Sequence, residues 1–144
     1  MIEIRRMRPE DLEQVERIEA DTFSQPWTRA GFLSSLEADS TIYLTVWEKS
    51  EIVGYCGLMK VLEEGDITNV AVKREFRGRG IGRMMLENLL KLAGEQGVRE
   101  FTLEVRKSNA AAIALYKKLG FQDCGLRKNF YEKPVEDAVI MWKR

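Results

Sequence analysis

The stretch Ile67-Thr-Asn-Val-Ala-Val-Lys-Arg-Glu-Phe-Arg-Gly-Arg-Gly-Ile-Gly-Arg83 decides the reading of this 144-residue chain. Its first six residues have the β-branched, apolar character of a buried strand. A short charged turn follows, then a loop in which Gly78, Gly80 and Gly82 alternate with Arg79 and Ile81. Glycines remove side chains from the backbone there, so main-chain N–H groups are free to close around an anion. The helix that follows points the positive end of its dipole at the same place. Arg77, Arg79 and Arg83 add charged donors. The loop is suited to a pyrophosphate.

Three kinds of phosphate loop compete for this pattern. A P-loop requires Gly-Lys followed by Ser or Thr, which is absent here. A dinucleotide fingerprint requires G-x-G-x-x-G, but the third glycine falls one position early and Arg83 takes its place. Glu104 lies about where a ribose-binding acid would stand, yet five residues separate strand end from loop, against the tight turn of that fingerprint. The third pattern, R-x-x-G-x-G, is met by Arg77, Gly80 and Gly82. A glycine-rich strand–helix turn with no ligand is the plain alternative.

Outward from the loop, hydrophobic periodicity defines the elements. Ile2 and Ile4 alternate with charges as a first strand; Arg8-Pro9-Glu10-Asp11 opens a helix carrying Leu12, Val15 and Ile18. Thr28 is placed to cap a second helix, with Phe32, Leu33 and Leu36 inward. Residues 41–48, 52–61 and 67–72 read as an antiparallel meander, with turns at Lys49-Ser50-Glu51 and Glu63-Glu64-Gly65. Ile81, Met85, Leu89 and Leu92 form one helical stripe ending at Gly97. Strand 101–106 then implies a parallel pair through a helical crossover. A helix capped by Ser108 or Asn109 runs from Ala110 to Leu119, and residues 121–131 and 135–142 form a closing hairpin. The expected fold is one α/β (α+β) domain over residues 1–144, a mixed, largely antiparallel sheet with a parallel pair, flanked by about four helices.

Composition narrows the chemistry. Lys plus Arg equals Asp plus Glu at 23 each, against general nucleic-acid binding. Histidine is absent, which excludes Ser-His-Asp and Cys-His catalysis and disfavours zinc; no metal is expected. Cys56 and Cys124 lack metal-ligand spacing. No apolar run spans a membrane and no leader is expected at Met1, so the default address is cytoplasmic, with neither membrane nor nucleic acid as a direct partner.

The Arg77–Gly82 loop resembles the signature of the GNAT superfamily of acyl-CoA-dependent N-acetyltransferases. The stretch L-E-V-R-K-S-N-A-A-A-I-A-L-Y-K-K-L-G-F from Leu103 to Phe121, with Trp27, Asn69-Val70-Ala71-Val72 and Glu136-Asp137-Ala138, is similar to its ribosomal-protein-alanine N-acetyltransferase branch (RimI type). The resemblance covers nearly the whole chain after about Phe23. It implies acetyl-CoA as co-substrate, with main-chain groups of Val70, Ala71 and Val72 on the pantetheine arm and residues 77–83 (Arg77, Gly78, Arg79, Gly80, Ile81, Gly82, Arg83) on the pyrophosphate. Asn109 contacts the cofactor, and Lys117 or Lys118 is within reach of its ribose phosphate. Glu104 is implied as base and Tyr116 as acid. Trp27, Tyr131, Glu136 and Asp137 are expected on the acceptor side, and the implied acceptor is the N-terminal alanine of a small-subunit ribosomal protein. A small-molecule amine or a lysine as acceptor, and a non-catalytic CoA-binding module, are the alternatives.

Physical chemistry bears on those roles directly. An amine attacks a thioester only when neutral, and at pH 7 about a tenth of an α-amine of pKa about 8 is neutral, against well under a thousandth of a lysine at about 10.4. A carboxylate therefore suits an α-amine better. Each residue also has a plain role: Glu104 a strand glutamate in solvent or paired with Arg106, Tyr116 a core tyrosine on the Ala112, Ile113, Leu119 stripe, Asn109 an N-cap, Trp27 a plug at a helix end.

Overall fold

A computed structural model describes residues 2–144; the expectation at Met1 lies outside them. β1 (Ile2–Arg6) leads through a 3-10 turn at Pro9–Asp11 into α1 (Leu12–Thr22), followed by α2 (Arg29–Glu37). Thr28 caps α2: its Oγ1 accepts the Gly31 N–H at 3.1 Å. β2 (Thr41–Glu48), β3 (Glu51–Val61) and β4 (Glu64–Val72) form the meander; α3 (Ile81–Glu95), β5 (Glu100–Arg106), α4 (Ala110–Lys118), β6 (Gln122–Tyr131) and β7 (Glu136–Lys143) complete the chain.

The strands make one seven-stranded sheet in the order β1-β2-β3-β4-β5-β7-β6. Every neighbouring pair is antiparallel except β4–β5. Each face carries its own core. α3 and α4 cover one face, burying Ile81, Met85 and Leu89 against Ile42, Leu44 and Leu103, with Leu92 at the margin. α1 and α2 cover the other, burying Leu12, Val15, Ile18 and Phe32 against Tyr43 and Tyr55, while Leu33 and Leu36 pack around the edge.

One boundary moves. Val61 pairs with Glu64, so the β3–β4 turn is only Leu62-Glu63, and Glu64 and Gly65 belong to the strand. Leu62 turns the chain in the left-handed region (φ 57°), which acid- and glycine-based turn reading has no means of expecting from a leucine.

Two irregularities in the sheet set up the site. Gly57 pairs with Asn69 and Leu58 with Ile67, leaving Thr68 as an extra residue in β4. Such a bulge switches the face to which later side chains point. Beyond it Asn69 and Ala71 lie on the α1/α2 face, and Val70 and Val72 pack toward α3 and α4. Gly57 is obligatory because a Cβ would enter the Tyr43 ring, whose hydroxyl donates to Asn69 Oδ1 at 3.0 Å.

The second irregularity is a splay. β4 and β5 pair only over Glu64–Asp66 and Glu100–Thr102. From there both strands continue, to Val72 and Arg106, without pairing to each other.

Candidate active site

The splay leaves one edge of β4 unpaired. Lys73 N–H donates to Val53 O of β3, so alternation turns the main-chain groups of Lys73 and Ala71 toward β3 and those of Val72 and Val70 into the opening. The Arg77 Nε–H takes one of them, donating to Val72 O at 2.9 Å. The others face the gap.

At the end of this edge lies the glycine loop. Phe76 N–H donates to Lys73 O, Arg77 N–H to Arg74 O, and Met84 N–H to Gly80 O. Among the described residues, the six amides between them, Gly78 to Arg83, donate to no protein acceptor. Gly78 (φ 78°) and Gly80 (φ 80°) are left-handed, and a Cβ on either would meet nothing within 4 Å. Their glycine identity is set by backbone conformation. Gly82 differs: its Cβ would come within 3.3 Å of Leu115 Cδ2, so it serves the close approach of α3 to α4. The arginines are lightly tied. Arg79 stacks over Phe76 at 4.9 Å, and Arg83 Nε lies 3.8 Å from Glu87.

Glu104 projects from β5, beyond the last β4–β5 pair. Its side chain is a quarter exposed, but Oε2 is fully buried and is the sole buried side-chain polar atom among the described residues without a hydrogen bond. Arg127 Nε stands 3.2 Å from that oxygen. The two facts are compatible: the charges touch, but the N–H does not point along the line between them, so the contact is Coulombic without a hydrogen bond. The expected partner, Arg106, is occupied elsewhere. It binds Glu136 Oε1 (3.1 Å), Pro134 O and Glu132 O (both 3.0 Å), and covers the Tyr131 ring at 4.5 Å.

Tyr116 lies in the last turn of α4, nearly buried, edge-on to Phe121 at 5.9 Å. Burial pushes its phenol far above the ordinary value, with the charges of Cys56 and Tyr131 adding to it. It stays protonated at neutral pH. Tyr131 is pushed up to about 12, mainly by burial and then by the Glu104 carboxylate, with Arg106 opposing.

The remaining expected residues have structural work. Asn109 caps α4, its Oδ1 accepting the Ala112 N–H at 3.1 Å. Glu136 accepts from Ser108 N (2.6 Å) and from Arg106, contacts that hold its carboxyl below the usual carboxylate range, the Ser108 hydrogen bonding most of all. Asp137 Oδ1 accepts the Asn129 N–H at 2.9 Å. The acidic pair is thus committed to backbone amides: Glu136 ties β7 to the β5–α4 turn at Ser108, and Asp137 ties it to β6 at Asn129. Trp27 is 36% exposed, its ring 5.3 Å from Phe32, and its main-chain N–H donates to Glu19 Oε2 at 2.9 Å. Lys118 is exposed on the last turn of α4.

Three residues escaped sequence reading: Arg127, Asp66 and Glu19. Glu19 is buried, with Oε1 accepting from Tyr55 OH at 2.5 Å, and so pins the α1–α2 loop that carries Trp27. In sequence it is one acid among several on α1. Arg127 lies on β6, two strands from β5, and Asp66 on β4, so where they stand relative to β5 depends on sheet order. Cys56 is fully buried and its thiol is pushed up by burial, while Cys124 is exposed. Among the described residues no cluster of three His, Cys, Asp or Glu is placed to hold a metal, and no helix is long and apolar enough to cross a membrane.

A splayed parallel strand pair, a run of unpaired amides at a helix start, and a carboxylate on the strand beyond the last pair define a class of group-transfer fold. The sequence model of the acetyltransferase (GNAT) family matches residues 12–121, and the chain belongs to that family. A Bacillus subtilis protein provisionally named [ribosomal protein bS18]-alanine N-acetyltransferase is 42% identical over 140 residues, covering 96% of this chain and 93% of the relative. The [ribosomal protein bS18]-alanine N-acetyltransferase of Haemophilus influenzae is 35% identical over 134 residues, 91% of this chain and 90% of its own. Among solved structures, the ribosomal-protein-S18-alanine N-acetyltransferase of Escherichia coli superposes with a TM-score of 0.92 at 33% identity, covering 99% of this chain and 93% of that one. Ard1 from Thermoplasma volcanium superposes at 0.91 with 30% identity over 99% of this chain and 96% of its own.

Proposed function

We propose that the protein transfers an acetyl group from acetyl-CoA to the N-terminal α-amine of a protein, and that the acceptor is the N-terminal alanine of ribosomal protein bS18 or its counterpart. The observation that carries the reading is the run of six amides from Gly78 to Arg83 with no protein acceptor, at the N-terminus of α3. Anionic oxygens fit that arrangement, and a pyrophosphate spans it. The names of the relatives supply the acceptor. The setting that goes with it is the bacterial cytoplasm.

When bound, acetyl-CoA supplies a thioester carbonyl already activated toward amines. The chain's own groups then divide the work. Free main-chain groups of Val70 and Val72, on the edge shared with Ala71, would hold the pantetheine arm as an added strand would be held. Residues 77–83 would hold the phosphates, with Lys118 and Asn109 beside the nucleotide. Glu104 would take up, directly or through water, the proton that the acceptor nitrogen loses. Tyr116, kept protonated by burial, would donate a hydrogen bond to the sulfur as it gains charge. Full proton transfer from so weak an acid is uphill, so hydrogen bonding is the economical role. Trp27 and Tyr131 would flank the acceptor, and Glu136 and Asp137 would shape its side of the site through the β6–β7 connection.

The test is CoA release from acetyl-CoA with peptides beginning with alanine, with other residues, and with a blocked N-terminus. Turnover with free α-amines and none with blocked peptides is the expected outcome. Faster turnover of lysine side chains or small amines would move the acceptor assignment, and no transfer to any amine would remove the enzymatic reading.

A further inference from the structure

Two guanidiniums lie on the acceptor face near Glu104, and they differ in commitment. Arg106 is saturated by Glu136 and two carbonyls. Arg127 crosses from the edge strand β6, over the β7 position held by buried Ala138, and reaches Glu104 with a charge contact that lacks hydrogen-bond alignment. Its side chain is more than half exposed.

A buried carboxylate oxygen with charge contact but no hydrogen bond is an unfinished site. A fixed planar fork held from a distant strand cannot complete it. An ammonium, compact and with three rotatable donors, can. From this geometry we infer that Arg127 is a stand-in for the acceptor's α-ammonium: it neutralises Glu104 in the free protein, yields Oε2 to the incoming ammonium, and swings out to solvent. Arg127 is then a positioning residue that sets acceptor affinity through an exchange of cations at Glu104. The inference rests on the N-terminal acetyltransferase reading for its ligand, but its measurement is one of binding and does not require turnover.

The exchange is tested by titrating the CoA-loaded full chain with an alanine-initiated peptide and with the same peptide carrying lactate in place of alanine, a hydroxyl where the ammonium was. Arg127→Met removes the competitor and should tighten the amine peptide by about fivefold, leaving the lactyl peptide unchanged within about twofold. Arg127→Lys keeps a cation at that position and should not tighten the amine peptide. Equal weakening of both peptides by Arg127→Met would make the arginine a packing residue and overturn the exchange. So would an unchanged amine peptide. Absence of acetyl transfer in the wild type, with these binding differences intact, would count against the acetyltransferase reading alone.

Discussion

The Gly78–Arg83 loop and the face carried by β5, β7 and β6 are both rich in charge, but they deploy it in opposite ways. In the loop, main-chain donors are left without partners, and the arginines are tied only by a ring stack, one carbonyl and a loose ion pair. On the sheet face nearly every charge is spent within the protein: Glu136 on Ser108 and Arg106, Asp137 on Asn129, Arg106 on three acceptors. Glu104 Oε2 is the exception. A ligand-binding loop is recognised by what it leaves undone. A scaffold for a catalytic group is recognised by how fully everything else is satisfied.

That contrast is open to attack by substitution. The largest effect is expected at the exception. Glu104→Gln should lower kcat by about 10²–10⁴-fold with acetyl-CoA affinity unchanged, read by steady-state kinetics and calorimetry. Retained activity would reduce Glu104 to a strand residue. Next comes Gly80→Ala, which forces a Cβ into a left-handed backbone at a cost of about 1–2 kcal/mol. Both thermal stability and cofactor affinity should fall, so this variant measures the loop's conformation rather than its phosphate contacts. Arg83→Gln isolates the contacts: its pair with Glu87 is exposed, so stability should hold within about 0.5 kcal/mol. KM for acetyl-CoA should rise about threefold and become less salt-dependent, with the peptide KM unmoved.

The smallest effect lies on the scaffold side. The Glu136 carboxyl is held below the value of an unfolded glutamate, about 4.3. Its contribution to stability is therefore complete above that value and is lost as pH falls through the lower native one. Glu136→Gln should lower stability at neutral pH and flatten the acid limb of a stability–pH curve; an unchanged limb would show that the Ser108 and Arg106 contacts carry no net weight.

The same contrast explains what could be read without coordinates. The loop was legible because its signal is local: glycines at fixed spacing, a preceding strand, a following helix. The meander, the α3 stripe ending near Gly97 and the cap at Thr28 are local in the same sense. The parallel β4–β5 pair followed from a strand–helix–strand order, but the splay that turns it into a site did not, since nothing in residues 67–72 or 103–106 says where pairing stops. Arg127 was invisible for a related reason. It meets Glu104 only because β7 inserts between β5 and β6, and a hairpin reading leaves open which of its strands lies inside. Glu136 and Asp137 show in sequence as an acidic pair, while the backbone amides that they bind are visible only in the fold.

The central claim is that the amides of Gly78 to Arg83 are the phosphate-binding groups. It is tested most directly by following backbone amide resonances while CoA is added to the 15N-labelled protein. Saturable downfield shifts concentrated at Gly78, Gly80, Ile81 and Gly82 are expected. Binding that is evident by calorimetry, with those resonances unmoved and others displaced, would contradict it.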